Sequence, residues 1–279
     1  MYLSKKVAKE LNPEIVAELA TEYCNSFVRA LGSYKSIAVE PGRICTSLDE
    51  LRNAYKEKRG RNELSDNIKE TILNFGAFYD RDIIYTPLVK VGKLWSLDGF
   101  YNEMGHLVGH ELYGPKMDNY HGLGEALDHA SSLYGLFYDC RKRKVKLEQI
   151  ERLIENRIEF YRDIDKVNDV YMLYGQRPAE KLVKKYFDDK DIETFRTDFL
   201  KARHYEGLKI FLTAYDKANG NLERTLWLLH KTMINPDVRD PYDALRYLGW
   251  DKDKLERYKP FLFNKSKLRK AIINYVEKI

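Results

Sequence analysis

The chain has 279 residues, 44% hydrophobic and 33% charged, enough apolar side chain to bury a substantial core and too much for a disordered polyelectrolyte. Lys+Arg 48 against Asp+Glu 43 gives a net charge of only +5, which argues against a dedicated nucleic-acid binder. Three widely spaced cysteines, Cys24, Cys45 and Cys140, argue against a disulfide framework or a cysteine-based zinc site and fit a reducing interior. No window offers about 18 uncharged apolar residues, so a soluble, cytoplasmic protein with no membrane span is expected. Abundant Lys, Glu, Ile and Tyr beside five Met and six His is a thermophile-like bias.

In chain order, the amphipathic stretch Asn12 to Leu31 reads as a helix, with Asn12 as cap, Pro13 in the first turn and Gly32 as terminator. SIAVE, residues 36–40, reads as a short β-like run before the Pro41-Gly42 turn. A second helix begins at Ser47, with Glu50 in the capping-box position. Residues 65–80, SDNIKETILNFGAFYD, read as helical. Residues 81–98 are rich in β-branched side chains and interrupted by Pro87 and Gly92, which gives one or two short edge strands, or a plain hairpin.

The next helix should start at Ser96 or Asp98 and stop at Gly114-Pro115, because glycine ends a helix readily and proline cannot continue it. Another should run from about Gly122 to Tyr138. From Lys144 onward the periodicity is helical throughout, with helices expected around 178–188, 190–217, 221–234, 240–249 and 264–278. This suggests a division into 1–143, with the small sheet, and an all-helical 144–279 that walls a cleft or binds a partner. The fold class is therefore α+β, mainly helical.

Between Asn102 and His129 the chain reads NEMGHLVGHELYGPKMDNYHGLGEALDH and holds four of the six histidines, whereas the residues before Asn102 hold none. Residues four apart on a helix share a face. With Asn102 at zero, His106 falls near roughly 40°, His110 near 80° and Glu103 near 100°, so all four share one arc. On the second helix Glu125 and His129 are likewise i,i+4. Imidazoles and carboxylates gathered on facing helices could hold a metal ion, or could be buried polar groups satisfied by one another.

The phrase Asn102-Glu103-Met104-Gly105-His106, followed by Glu125 nineteen residues after His106, resembles the gluzincin metallopeptidases, zinc enzymes with an HExxH helix and a glutamate ligand on a second helix. The resemblance spans about residues 83–138. It implies a zincin-like fold with a small sheet before the motif helix, whose edge strand lines the cleft for a peptide or protein substrate. It also implies zinc as cofactor, Glu103 as the general base that takes a proton from the attacking water, and His106 and Glu125 as ligands. Asn102 stands where the first histidine belongs, and a neutral amide is a poor zinc ligand.

Three readings of that substitution stay open. His106 and His110 could form a different ligand pair completed by Glu125 or His129, with Glu103 as base or fourth ligand. The fold could persist without metal or catalysis. A third possibility is a non-zinc site from Glu103, His106, Glu125 and His129, a mixture that suits iron or manganese. Asp128 would orient a ligand histidine or simply be a first-turn acid.

His121 falls in a loop, and His204 and His230 read as ordinary helix residues, with steadying an oxyanion as the alternative role for His204. Arg141, Lys142, Arg143 and Lys144, with a second cluster of Lys265, Lys267, Arg269 and Lys270, allow an alternative in which a helical protein binds nucleic acid or an acidic protein partner without catalysis. The simpler reading of the first cluster is a set of cations favoured at a helix C-terminus.

Overall fold

The computed structural model describes residues 12–65, 68, 69, 72, 77–86, 89–91, 94–96, 98–114, 116, 117, 121–142 and 207–250. Among these the protein is mostly helical with a small sheet, as expected for the α+β, mainly helical class. The helices expected at 178–188 and 264–278, the start of 190–217, the second basic cluster, Arg143, Lys144 and His204 lie outside the described residues.

Helix α1 covers Pro13–Ala30, and the Asn12 side chain accepts a hydrogen bond from the Ile15 amide, as its cap position demands. The segment after it is extended but is no strand. Asn25 of α1 takes both the amide and the carbonyl of Ile37, and Thr21 Oγ1 accepts from the Val39 amide, so side chains of α1 satisfy the backbone that a sheet would otherwise pair. The strand instead forms just beyond the Pro41–Arg43 turn, as β1, Ile44–Cys45. Helix α2, Leu48–Arg59, carries the full reciprocal Ser47–Glu50 capping box and ends on Gly60 in the left-handed conformation.

Strands β2, Phe78–Asp80, and β3, Ile83–Tyr85, form a tight antiparallel pair, and β1 joins β3 in parallel. The sheet order β1-β3-β2 leaves β2 on one edge. Here the sequence expectation is corrected: Phe78–Asp80 is strand, because pairing with β3 overrides the local helical pattern. A separate hairpin, β4 Val89–Val91 with β5 Leu94–Ser96, precedes the motif helix.

Helix α3 is Asp98–Tyr113 and α4 is His121–Lys142, so α4 runs a turn beyond the expected Tyr138, and His121 opens this helix. Contacts from Tyr101 to Gly135, Gly105 to Asp128 and His106 to Gly124 make the two helices antiparallel. A Cβ on Gly105 would sit 2.8 Å from Asp128 Cα, so only glycine allows this approach. A helical stretch at 207–217 (α5) crosses α4 just as closely, for a Cβ on Gly207 would lie 2.4 Å from Glu125 Cβ.

Helices α6, Leu222–Ile234, and α7, Pro241–Leu248, follow with caps from Asn221 and Asp240. Residues of α1, α3, α4, α5, α6 and α7 meet in one apolar core that includes Phe27, Met104, Leu127, Phe211, Leu229 and Leu245, each fully buried large side chain contributing about 1.5–3 kcal/mol. A smaller cluster of Leu51, Tyr55, Ile83 and Tyr85 glues α2 to the sheet. Tyr113 hydrogen-bonds His230 Nδ1 at 2.9 Å, and Lys116 Nζ donates to the carbonyls of Met233 and Asn235, which ties the end of α3 to the end of α6. No described helix is long and apolar enough to cross a membrane.

Candidate metal centre

The α3–α4 seam carries the polar constellation. Because α4 begins at His121, Asp128 lies two turns inside it and is no first-turn acid. Glu125 and Asp128, at i,i+3, project toward His106 on the facing helix. Donor atoms of His106, Glu125 and Asp128 all lie within 4.8 Å of one another, a group that could hold a metal ion. Within it, His106 Nε2 and Asp128 Oδ2 are 2.6 Å apart, with the Asp128 side chain fully buried and that of His106 21% exposed. The imidazole is thus the edge of the group that faces outward.

Glu103 is buried one turn before His106 on α3. Burial pushes its carboxyl up to about 8, against the attraction of His106 and with the repulsion of Asp128 and Glu125 in the same direction as burial. Burial likewise drives the Asp128 carboxyl well above the usual range, reinforced by the charge of Glu125 and a hydrogen bond shared with it. Carboxyls crowded into a dry site resist common ionisation, and a proton or a cation must relieve them.

Asn102 does not join this group. Its Oδ1 is 3.4 Å from Ser132 Oγ on α4, and its side chain hydrogen-bonds Glu103, favouring the charged form of that carboxyl. The seam below is pinned by Ser131 Oγ donating to the Tyr101 carbonyl, by Tyr23 from α1 donating to the Ser131 carbonyl, and by Tyr101 Oη donating to Asp139. These bonds fix the rotation of α4, and with it the direction of Glu125 and Asp128.

The histidines part company in three dimensions. His110, one turn after His106, lies outside the three-donor group; its ring stacks on Tyr79 of β2 at 5.3 Å, and it lines an open cleft of about 920 Å³ together with Arg43, Arg81 and Glu111. His129 is fully buried and also outside the group. Tyr79 lies nearly parallel to the His106 ring as well, 6.0 Å away with an 8° interplanar angle, so the edge strand β2 is the lip between the cleft and the metal-competent group. Asp128, expected only as a supporting residue, joins the donor group, and the Glu-x-x-Asp spacing at 125–128 is its signal in the sequence; nothing local marks Tyr79.

The donor chemistry fits a divalent cation: one imidazole and two carboxylates, with a third carboxyl, Glu103, alongside. Asn102, one turn before His106 on α3, accepts a long hydrogen bond from Ser132 on α4. Arg141 is exposed near the end of α4, away from the buried seam. No protein-family model, no curated protein and no solved structure matches this chain.

Proposed function

We propose that this protein is a metal-dependent hydrolase of the metallopeptidase type, with His106, Glu125 and Asp128 holding the ion and Glu103 as general base. The observation that carries the reading is the convergence of those three donors within 4.8 Å, beside a buried carboxyl on the same helix face as His106. The resemblance of residues 102–125 to the gluzincins, whose ion is zinc, supplies the metal-dependent reaction class, a zincin-like arrangement of sheet and helices, and a peptide or protein as the substrate class; which ion these donors prefer is a separate question. A bound divalent cation would polarise the scissile carbonyl and acidify the attacking water.

The remaining roles fall to the chain itself. Glu103, with its proton held up to about 8, is poised to accept and return a proton near neutral pH, once a nearby positive charge favours its ionised form. Asp128 Oδ2, 2.6 Å from His106 Nε2, brings carboxylate and imidazole to one point, so that both can face the same ion. Among the described residues β2 is an edge strand beside the cleft, the type of element to which an extended peptide adds as a further strand.

Glu103→Gln tests the assignment, because it removes proton transfer while keeping size and hydrogen bonding. Turnover of a varied peptide panel should fall by a factor of at least about 100, with fold and bound metal unchanged. No hydrolysis by the unaltered protein, with binding to nucleic acid or an acidic protein that survives both chelation and Glu103→Gln, would replace the enzyme with a binding protein.

A further inference from the structure

The donor set of the seam is not the nitrogen-rich one that the resemblance implies. The three converging donors are one imidazole, His106, and two carboxylates, Glu125 and Asp128, with the buried carboxyl of Glu103 alongside, and neither Glu103 nor Asp128 has a lysine or arginine partner among the described residues. Oxygen donors in that proportion match hard, oxygen-preferring ions, whereas zinc sites draw on imidazole and thiolate and close up as tetrahedra.

We infer that the ion this cluster takes is manganese(II) or iron(II), six-coordinate, with Asp128 as the ligand that compensates for Asn102. The inference rests on the metal-dependent reading above and deepens it. Its consequence is that the partly exposed His106 ring, lying against Tyr79, is the edge of the cluster at which solvent and substrate would approach the ion.

The test is a titration of chelator-treated protein with Mn²⁺, read by the electron paramagnetic resonance signal of free Mn²⁺, followed by competition with Zn²⁺. One Mn²⁺ should bind per chain, Zn²⁺ should exceed it by less than about 100-fold despite its general advantage over Mn²⁺, and Asp128→Asn should weaken Mn²⁺ by at least about tenfold. Asp128→His, which restores a second imidazole, should raise the Zn²⁺ to Mn²⁺ affinity ratio by at least about tenfold. Circular dichroism on both variants separates lost ligation from lost fold. Zinc preference beyond about 100-fold, or folded Asp128→Asn protein that binds Mn²⁺ as the unaltered chain does, overturns this inference and leaves the hydrolase reading standing. Protein that binds neither ion overturns both.

Discussion

His106 Nε2 and Asp128 Oδ2 meet at 2.6 Å across the α3–α4 seam, and the residue that lets the helices come so close is Gly105, whose absent Cβ would press on Asp128 Cα at 2.8 Å. Gly105→Ala should therefore separate the pair. The alanine gains up to about 1 kcal/mol of helix propensity but overpacks a backbone contact at a cost of about 1–3 kcal/mol. Urea unfolding should show net destabilisation, and the same variant should bind metal more weakly. An unchanged or higher midpoint would mean that the seam is looser than this contact implies.

The pH response follows from Glu103. Its folded carboxyl holds a proton up to about 8, above its usual 4.5, so the folded state binds that proton more tightly than the unfolded one. The resulting stabilisation is complete below the unfolded value and is lost as pH rises toward the folded one. Metal-free protein should lose urea resistance from about pH 5 to about pH 8, by at most about 1.4 kcal/mol per pH unit for this one group. Asp128, raised in the same direction, adds to the slope. Glu103→Gln should flatten it, and a midpoint that rises with pH in chelator would contradict the burial of these carboxyls.

Asn102→His rebuilds the second imidazole on a helix face that already carries His106. Zinc affinity should rise by at least about tenfold, read by competition with a chromophoric chelator. The substitution also removes the Ser132 contact of Asn102, a long hydrogen bond whose loss costs little. No gain in zinc affinity would show that the seam cannot turn an imidazole from position 102 toward Glu125.

Local chemistry made the helices readable. Asn12 with Pro13, Ser47 with Glu50, Gly114, and Asp240 with Gly249 mark ends that the structure keeps, because caps act within one turn of backbone. The strands were harder. SIAVE has strand-like side chains, yet its amides are claimed by Asn25 and Thr21, while Phe78–Asp80 becomes strand through a partner five residues or so ahead. Both outcomes are decided by tertiary partners that a local pattern does not contain.

The site was legible along each helix and not between them. Helical angles place His106 and His110 on one arc, but the angles do not say where each ring turns: both rings lie against Tyr79, and only that of His106 also reaches Glu125 and Asp128. Which face of α4 meets His106 depends on the approach at Gly105 and on Tyr23, Tyr101 and Ser131 in the seam. That geometry brings Asp128 into the donor group and leaves His129 out of it.

The most direct measurement is anomalous diffraction from crystals of the full chain grown with Mn²⁺. One strong peak per chain is expected in the α3–α4 seam, within about 2.3 Å of donor atoms from His106, Glu125 and Asp128. A seam without a peak, or a peak confined to surface carboxylates such as Glu111 and Asp82, would contradict it.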